Sequence, residues 1–127
     1  MHPASSPTFT LVDGNYAIVR LAADDAVPHW ARGAFVSITR TSDELSIVCE
    51  EGNVPEVVAD RGWRCLKLAG PFPLDQTGVA AAFTRVLADA GIALFVVSTY
   101  DTDYVLVRDG AIDHASAALR AAGYVVR

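Results

Sequence analysis

The polar residues that could bind a small ligand are concentrated near the C-terminus, between two apolar segments. Residues 91–107 read GIALFVVSTYDTDYVLV, and the polar bend (residues 98–103) holds Ser98, two threonines, a tyrosine, Asp101 and Asp103. A turn between strands needs only one or two polar residues or a glycine. The surplus of hydroxyl and carboxylate groups therefore favours a site for a small polar ligand. The alternative is that Ser98 and Thr99 only satisfy backbone groups at the bend.

A predicted helix start upstream of the bend offers the opposite charge. Residues 76–78 lie at this start, where unpaired backbone N–H groups suit a carboxylate. Asp75, Asp101 and Asp103 provide carboxylates for an ammonium group. A zwitterion would therefore find complementary charges between the helix start and the polar bend. Two alternatives stay open: Asp75 only caps the helix, and Asp101 is only a solvated turn residue.

The elements that must position these residues follow from the hydrophobic pattern of the second half of the chain. Strands are predicted at 63–69, 92–98, 104–107 and 124–126, and apolar residues recur at helical spacing over 79–90 and 112–119. The predicted helix caps are Asp75 or Thr77 for the first helix and Asp109 for the second, and the predicted stops are Gly91 and Gly123. This β-α-β-β-α-β order is typical of a ferredoxin-like α+β sandwich.

The first half of the chain gives a weaker version of the same pattern. The predicted elements are strands at 9–12, 16–21, 35–40 and 45–50, and short helical turns at 27–32 and 56–60. Asp13-Gly14-Asn15 is a strong hairpin signal between the first two strands. We therefore expect a degenerate unit over residues 1–62, which begins with a flexible leader, and a complete unit over residues 63–127.

Composition excludes several classes of function. The chain has 127 residues and a net charge of −5, and its basic residues are scattered singly, which argues against nucleic-acid binding. The sequence shows no apolar run of membrane-spanning length, secretory leader, metal-ligand pattern or nucleophile–base pair, so no membrane, metal, cofactor or enzymatic role is expected. Cys49 and Cys65 are predicted to be buried core residues of a cytoplasmic protein, although a disulfide between them stays open.

Three stretches of the sequence resemble the ACT domain. These are GPFPLDQTGVAAAF at 70–83, LADAGIALFVVSTYDTDYVLV at 87–107 and FVSITRTSDELSIVCEEG at 35–52. More narrowly, they are similar to bacterial tandem-ACT proteins related to the Castor-type arginine sensors. The resemblance implies a regulatory protein without catalytic activity, which binds an amino acid at an interface between ACT units.

The resemblance also implies which residues contact the ligand. One side of the site would be the loop before the first helix, and the matching residues are Gly70, Pro71, Phe72, Pro73, Leu74, Asp75, Gln76, Thr77 and Gly78. Ala93 and Leu94 match the other side, and Asp103 matches the acid that pairs with the cationic side chain of arginine. The sensors have a hydroxyl where this chain has Ala93, and their loop is richer in glycine. Because of these two differences, the resemblance supports an amino acid as the ligand class better than it supports arginine itself.

Two hypotheses of different classes follow from these observations. In the first, a homodimer places the C-terminal units side by side and an amino acid binds at the seam. In the second, the chain is a protein-interaction module with no retained ligand site, and its sheet edge or the acidic segment at 22–26 contacts a partner. Both hypotheses predict an oligomer, because the apolar content of 52% is high for so short a chain.

Overall fold

The computed structural model describes residues 7–56 and 59–127 of the chain. The strands are β1 (Thr8–Leu21), β2 (Ser37–Arg40), β3 (Leu45–Glu50), β4 (Ala59–Leu68), β5 (Leu94–Ser98), β6 (Asp103–Arg108) and β7 (Val125–Val126), and the helices are α1 (Val79–Asp89) and α2 (Ile112–Ala121). Short 3-10 turns cover Glu51–Asn53 and Asp109–Ala111. Neither helix in this described part is long and apolar enough to cross a membrane.

The chain divides into two compact units. The first, here called the α/β unit, contains Arg64–Arg127 together with the described residues up to Asp13. The second, here called the β unit, contains Gly14–Trp63. Both boundaries fall inside β1 and β4, so each unit contains part of these two strands. The sequence therefore passes twice between the units rather than once near residue 62.

The α/β unit has the predicted β-α-β-β-α-β order. Its strands lie in the order β7-β1-β4-β6-β5, with β7 parallel to β1 and β5 antiparallel to β6. Alternate residues of β1, β4 and β6 pack with both helices in one core, formed by Phe9, Leu66, Leu68, Phe83, Leu87, Ile92, Val105, Val107, Ala115 and Leu119. The rings of Phe9 and Phe83 meet edge to face at 5.4 Å. The ferredoxin-like α+β fold is therefore confirmed.

Glycines end both helices as predicted. Gly91 has a φ of 74°, and the next residue donates its N–H to the carbonyl of Leu87 at 3.0 Å. Gly123 has a φ of 101°, and Tyr124 donates to the carbonyl of Leu119 at 3.0 Å. A glycine adopts this left-handed conformation without steric cost, which closes the last helical turn.

The predicted side-chain caps at the helix starts are wrong. Gly78, with a φ of 85°, is the N-cap of α1, so neither Asp75 nor Thr77 occupies that position. Asp109 begins a 3-10 turn, and no side chain caps that turn or α2. Two candidate caps precede α1 in the sequence, but the path of the loop places Gly78 next to the first turn instead.

The β unit contains the predicted hairpin of β2 and β3. Their register pairs Ile38 with Ile47, and β3 also pairs antiparallel with β1, from Tyr16 opposite Glu50 to Leu21 opposite Leu45. A separate core cluster consists of Ala17, Val19, Leu45, Ile47, Cys49 and Val54.

Cys49 and Cys65 are both free and buried, as predicted, and burial raises the pKa of the Cys65 thiol to about 12.

Two predictions for the first half of the chain are wrong. Asp13-Gly14-Asn15 is not a hairpin turn, because β1 runs without interruption from Thr8 to Leu21. Gly14 takes a φ of 96° within this strand, and the Glu50 carboxylate lies 3.3 Å from where a Cβ would stand. The residues at 27–32 form turns and no helix, closed by an Ala31 N–H donated to the carbonyl of Pro28. The helical turn predicted at 56–60 falls partly outside the described residues, and Ala59 already belongs to β4.

Substitution of Val105 tests the core of the α/β unit. Val105 in β6 is fully buried, so Val105→Ala should lower the free energy of unfolding by about 1.5–3 kcal/mol. Val27→Ala is the matched control, because Val27 is 46% exposed and its loss should change stability by less than about 0.5 kcal/mol. Urea titration measures both values. Equal effects of the two substitutions would contradict the described core.

Candidate functional site

The polar bend is a tight turn that joins β5 to β6. The ladder between these strands ends where Ser98 pairs with Asp103. Within the turn, the Thr99 N–H donates to the carbonyl of Thr102 at 2.8 Å, and the Thr99 hydroxyl donates to the same oxygen at 3.0 Å. Thr99 therefore forms hydrogen bonds with a backbone group of the bend, which is the alternative role given above for this residue.

Hydrogen bonds hold the bend against the loop that follows β4. Thr102 is the buried polar residue of the bend, and its hydroxyl donates to the carbonyl of Leu68 at 2.6 Å. Further along the loop, the Phe72 N–H donates to the carbonyl of Asp101 at 2.8 Å. These two bonds fix the loop at 69–78 relative to the bend, so both sides of the space between them have defined positions.

Gly70 allows this close approach. A Cβ added at Gly70 would lie 2.8 Å from the carbonyl oxygen of Asp101 and 3.0 Å from the Cβ of Thr102. A real Cβ does not tolerate the first of these distances. The glycine predicted as a ligand contact therefore has a packing role, and the cis peptide bond between Gly70 and Pro71 lies in the same turn of chain.

A groove of about 210 Å³ lies between the loop and the bend. It is called the acidic groove here, and it brings together seven of the predicted site residues, namely Phe72, Pro73, Leu74, Gln76, Ser98, Asp101 and Asp103. Its other lining residues are Val79, Thr99, Tyr100 and Thr102. Apolar side chains from the loop therefore face hydroxyls and carboxylates from the bend across a space of small-metabolite size.

The charge of the acidic groove has one sign. Asp101 and Asp103 both line it, and the described lining residues include no lysine, arginine or histidine. Two carboxylates at one edge of a partly enclosed groove attract a cation, and the apolar walls strengthen this attraction by lowering the local dielectric constant. The groove can therefore receive an ammonium group, whereas a carboxylate would need donors from elsewhere.

An adjoining cavity lies at the start of α1. This cavity, of about 230 Å³, is lined by Thr77 and Gly78 and shares Phe72, Gln76 and Val79 with the acidic groove. The first intrahelical bond of α1 runs from Ala82 to Gly78, so the preceding N–H groups at 79–81 lack helical partners, and no side chain caps this end. A helix start of this kind is favourable for an anion.

The structure places the remaining predicted site residues elsewhere. Asp75 is exposed in the turn before α1, and Pro71 is exposed in the loop. Ala93 is exposed and precedes β5, and Leu94 lines a separate, shallow apolar depression of about 500 Å³ beside α1. Neither Ala93 nor Leu94 lines the acidic groove within one chain.

Three residues of the groove were missed or assigned other roles from sequence. Val79 begins the helical spacing predicted over 79–90, and it lines both cavities. Tyr100 of the polar bend lies at the tip of the turn with 79% of its surface exposed. Thr102 alternates with Asp101 and Asp103 along the chain, and this alternation was the available signal that it points inward. Among residues 7–56 and 59–127, no group of three or more histidine, cysteine or acidic residues could hold a metal ion.

Comparisons with known proteins find two family models and a solved structure that match this chain. A family model described as the ACT domain matches residues 45–121, and a second, described as an N-terminal domain, matches residues 14–57. Protein Atu0741 from Agobacterium tumefaciens, known from its crystal structure, is 44% identical; the match covers 98% of this chain and 94% of that one, with a TM-score of 0.90.

Two animal proteins are similar over part of their length. CASTOR3P from Homo sapiens is 33% identical over 90 residues, which cover 60% of this chain and 55% of the relative. The Bos taurus protein named cytosolic arginine sensor for mTORC1 subunit 1 is 26% identical over 95 residues, which cover 65% of this chain and 29% of the relative. This chain therefore matches about half of the length of the first relative and less of the second.

Substitution of Gly70 tests the contact between loop and bend. Gly70→Ala should lower the free energy of unfolding by about 1–3 kcal/mol, because the new methyl group would displace the backbone at Asp101. Gly110→Ala is the matched control, since nothing lies within 4 Å of an added Cβ there and its φ is not positive. Urea titration compares the two variants. Equal stability of both would show that the close approach at Gly70 is not present in solution.

Proposed function

This chain belongs to the ACT domain family, and we propose that it is a non-catalytic regulatory protein that senses an amino acid. The observation that carries the proposal is the acidic groove, in which Asp101 and Asp103 lie beside the uncapped start of α1. The α-ammonium group would bind at the two carboxylates, and the α-carboxylate would accept hydrogen bonds from the N–H groups at 79–81. One ligand would thus satisfy both charges.

The size of the groove supports a small metabolite. Its volume of about 210 Å³ is below the roughly 300–1,000 Å³ of sites for drug-sized ligands. The Bos taurus relative is named as a cytosolic arginine sensor. We carry over the ligand class and the compartment to this chain as proposals, and leave the side chain of the amino acid to experiment.

We also propose that a second copy of the chain covers the acidic groove. Leu74 and Tyr100 both line the groove, and they are 69% and 79% exposed, respectively. Large apolar side chains at the rim of a polar groove mark an interaction surface. Ala93 and Leu94 lie outside the groove of their own chain, so contact between these residues and a ligand there would require a second chain.

Regulation by the ligand would follow from the paired arrangement. A ligand shifts an equilibrium only through its different affinity for two states. An amino acid held between two chains would bind the dimer more tightly than the monomer. The concentration of the amino acid would then set the amount of dimer available to a downstream protein.

A thermal-shift screen of the twenty amino acids tests the ligand. One of them, at 100 times its dissociation constant, should stabilise the protein by about 2.7 kcal/mol. Asp103→Asn should abolish this stabilisation, because it removes a carboxylate that lines the groove. Asp43→Asn removes an exposed carboxylate from the β2–β3 turn and should leave the stabilisation unchanged.

Two outcomes of this screen would contradict the proposed ligand site. One is the absence of a shift with every amino acid, and the other is a shift that Asp103→Asn leaves intact. In either case the interaction-module hypothesis becomes the better one. Its acidic segment is held in place, since Arg40 donates hydrogen bonds to the carbonyls of Ala23 and Asp25.

Analytical ultracentrifugation tests the proposed dimer separately. The wild-type chain should sediment as a dimer, and Tyr100→Ser should raise the dissociation constant at least about tenfold, which corresponds to a loss of about 1.4 kcal/mol. Val27→Ser, at an exposed apolar residue of the β unit, should leave it unchanged. A monomeric wild-type protein, or a dimer that is indifferent to Tyr100→Ser, would refute this interface.

A further inference from the structure

A second groove of the α/β unit has the opposite charge. It lies beside α2, has a volume of about 440 Å³, and is lined by Arg64 of β4, Arg120 of α2 and Arg127 at the end of the sequence. Asp113 is the one carboxylate side chain among its lining residues, and Ser116 adds a hydroxyl. We call this the arginine groove. It shares no lining residue with the acidic groove or with the cavity at the start of α1.

The concentration of guanidinium groups runs against the composition of the chain. The sequence has 10 basic and 15 acidic residues, yet three of the basic residues line this one groove. Guanidinium groups gathered around a cavity repel one another unless an anion lies between them. Two carboxylate side chains accompany these three arginines: Asp113 lines the groove, and Asp109 lies beside Arg64.

Arg64 has incomplete partners in the described structure. Its Nε is buried and has no hydrogen-bond partner among the described residues. Its charge is balanced only by Asp109, whose carboxylate oxygen lies 3.6 Å from the guanidinium, beyond the distance of a good hydrogen bond. A buried donor without an acceptor is uncommon and costly, which is consistent with a site that is completed by a ligand.

Arg120 is already oriented. Its guanidinium donates to the carbonyl of Val126 at 2.9 Å, which ties the end of α2 to β7. A guanidinium that is held by one bond has further N–H groups to offer, and its planar fork matches the two oxygens of a carboxylate or phosphate. Less conformational freedom is then lost when an anion binds.

We propose that the arginine groove is a second ligand site, which takes a small molecule bearing a carboxylate or phosphate group. Guanidinium groups bind these oxyanions through charge-assisted and often bidentate hydrogen bonds. The volume of the groove lies within the usual range for small-molecule sites, roughly 300–1,000 Å³, which favours a metabolite over a macromolecule. The apolar floor from Leu11, Ile112 and Val126 suits the carbon skeleton of such a ligand.

Isothermal titration with inorganic phosphate and with citrate, each against sodium chloride at equal ionic strength, tests the site. At least one of the two anions should bind saturably to the wild-type protein. Arg120→Gln and Arg127→Gln should each weaken binding about tenfold or more, which corresponds to one lost hydrogen bond to a charged group. Arg85→Gln is the matched control, because Arg85 is exposed on α1 and pairs with Asp89 outside the groove.

The results separate the sources of the oxyanion. Binding of phosphate alone would indicate a phosphate ester, and binding of citrate alone would indicate a polycarboxylate. The proposal fails if neither anion binds saturably, or if both arginine variants bind as the wild-type protein does. Since Arg120 also contacts Val126, its variant could unfold, and Arg127→Gln then decides the question.

Discussion

The hydrogen bond from the Thr102 hydroxyl to the carbonyl of Leu68, at 2.6 Å, is the contact on which the candidate site depends. It joins the end of β4 to the turn between β5 and β6, and the Phe72–Asp101 bond extends the contact by one further residue. A buried hydrogen bond contributes only about 1 kcal/mol net, but an unmade one costs about 1–3 kcal/mol. The loop and the bend are therefore held in one arrangement, and Gly70 is the residue that permits it.

The same α/β unit carries two grooves of opposite charge. One has two carboxylates beside an uncapped helix start, and the other has three guanidinium groups. The net charge of −5 does not predict the charge of either groove, because the interaction between exposed charges is screened beyond a Debye length of about 8–10 Å. Charge selectivity in this unit is thus determined by which strand ends and helix ends meet, and not by composition.

Local sequence signals predicted the elements of the α/β unit well. Helical spacing in 79–90 and 112–119, and the stop glycines Gly91 and Gly123, depend on neighbours within a few residues, and the structure agrees with each of them. The turn signal at Asp13-Gly14-Asn15 failed for a reason that the local sequence does not contain. β1 pairs with β7 at its start and with β3 at its end, and these distant partners keep the strand extended.

The arginine groove had no local signal either. Arg64 and Arg120 are more than fifty positions apart in the sequence, and each one alone is an ordinary basic residue. Residues of the acidic groove were easier to predict, because the polar bend is contiguous and the loop at 70–78 carries the family resemblance. The sequence did not predict how these residues divide: seven of the predicted site residues line the groove, while Ala93 and Leu94 lie away from it.

That division bears on how a ligand would act. If the two sides of the ACT site belong to different chains, ligand binding and dimer formation are thermodynamically coupled. By linkage, an amino acid that strengthens the dimer by a given factor binds the dimer more tightly than the monomer by a corresponding factor. The exposed side chains of Leu74 and Tyr100 would then be buried in the dimer. Covering them would also enclose the carboxylates of Asp101 and Asp103, which would reduce the screening of their charges by water. Assembly would thus raise the affinity of the groove for the same cationic group whose binding favours assembly.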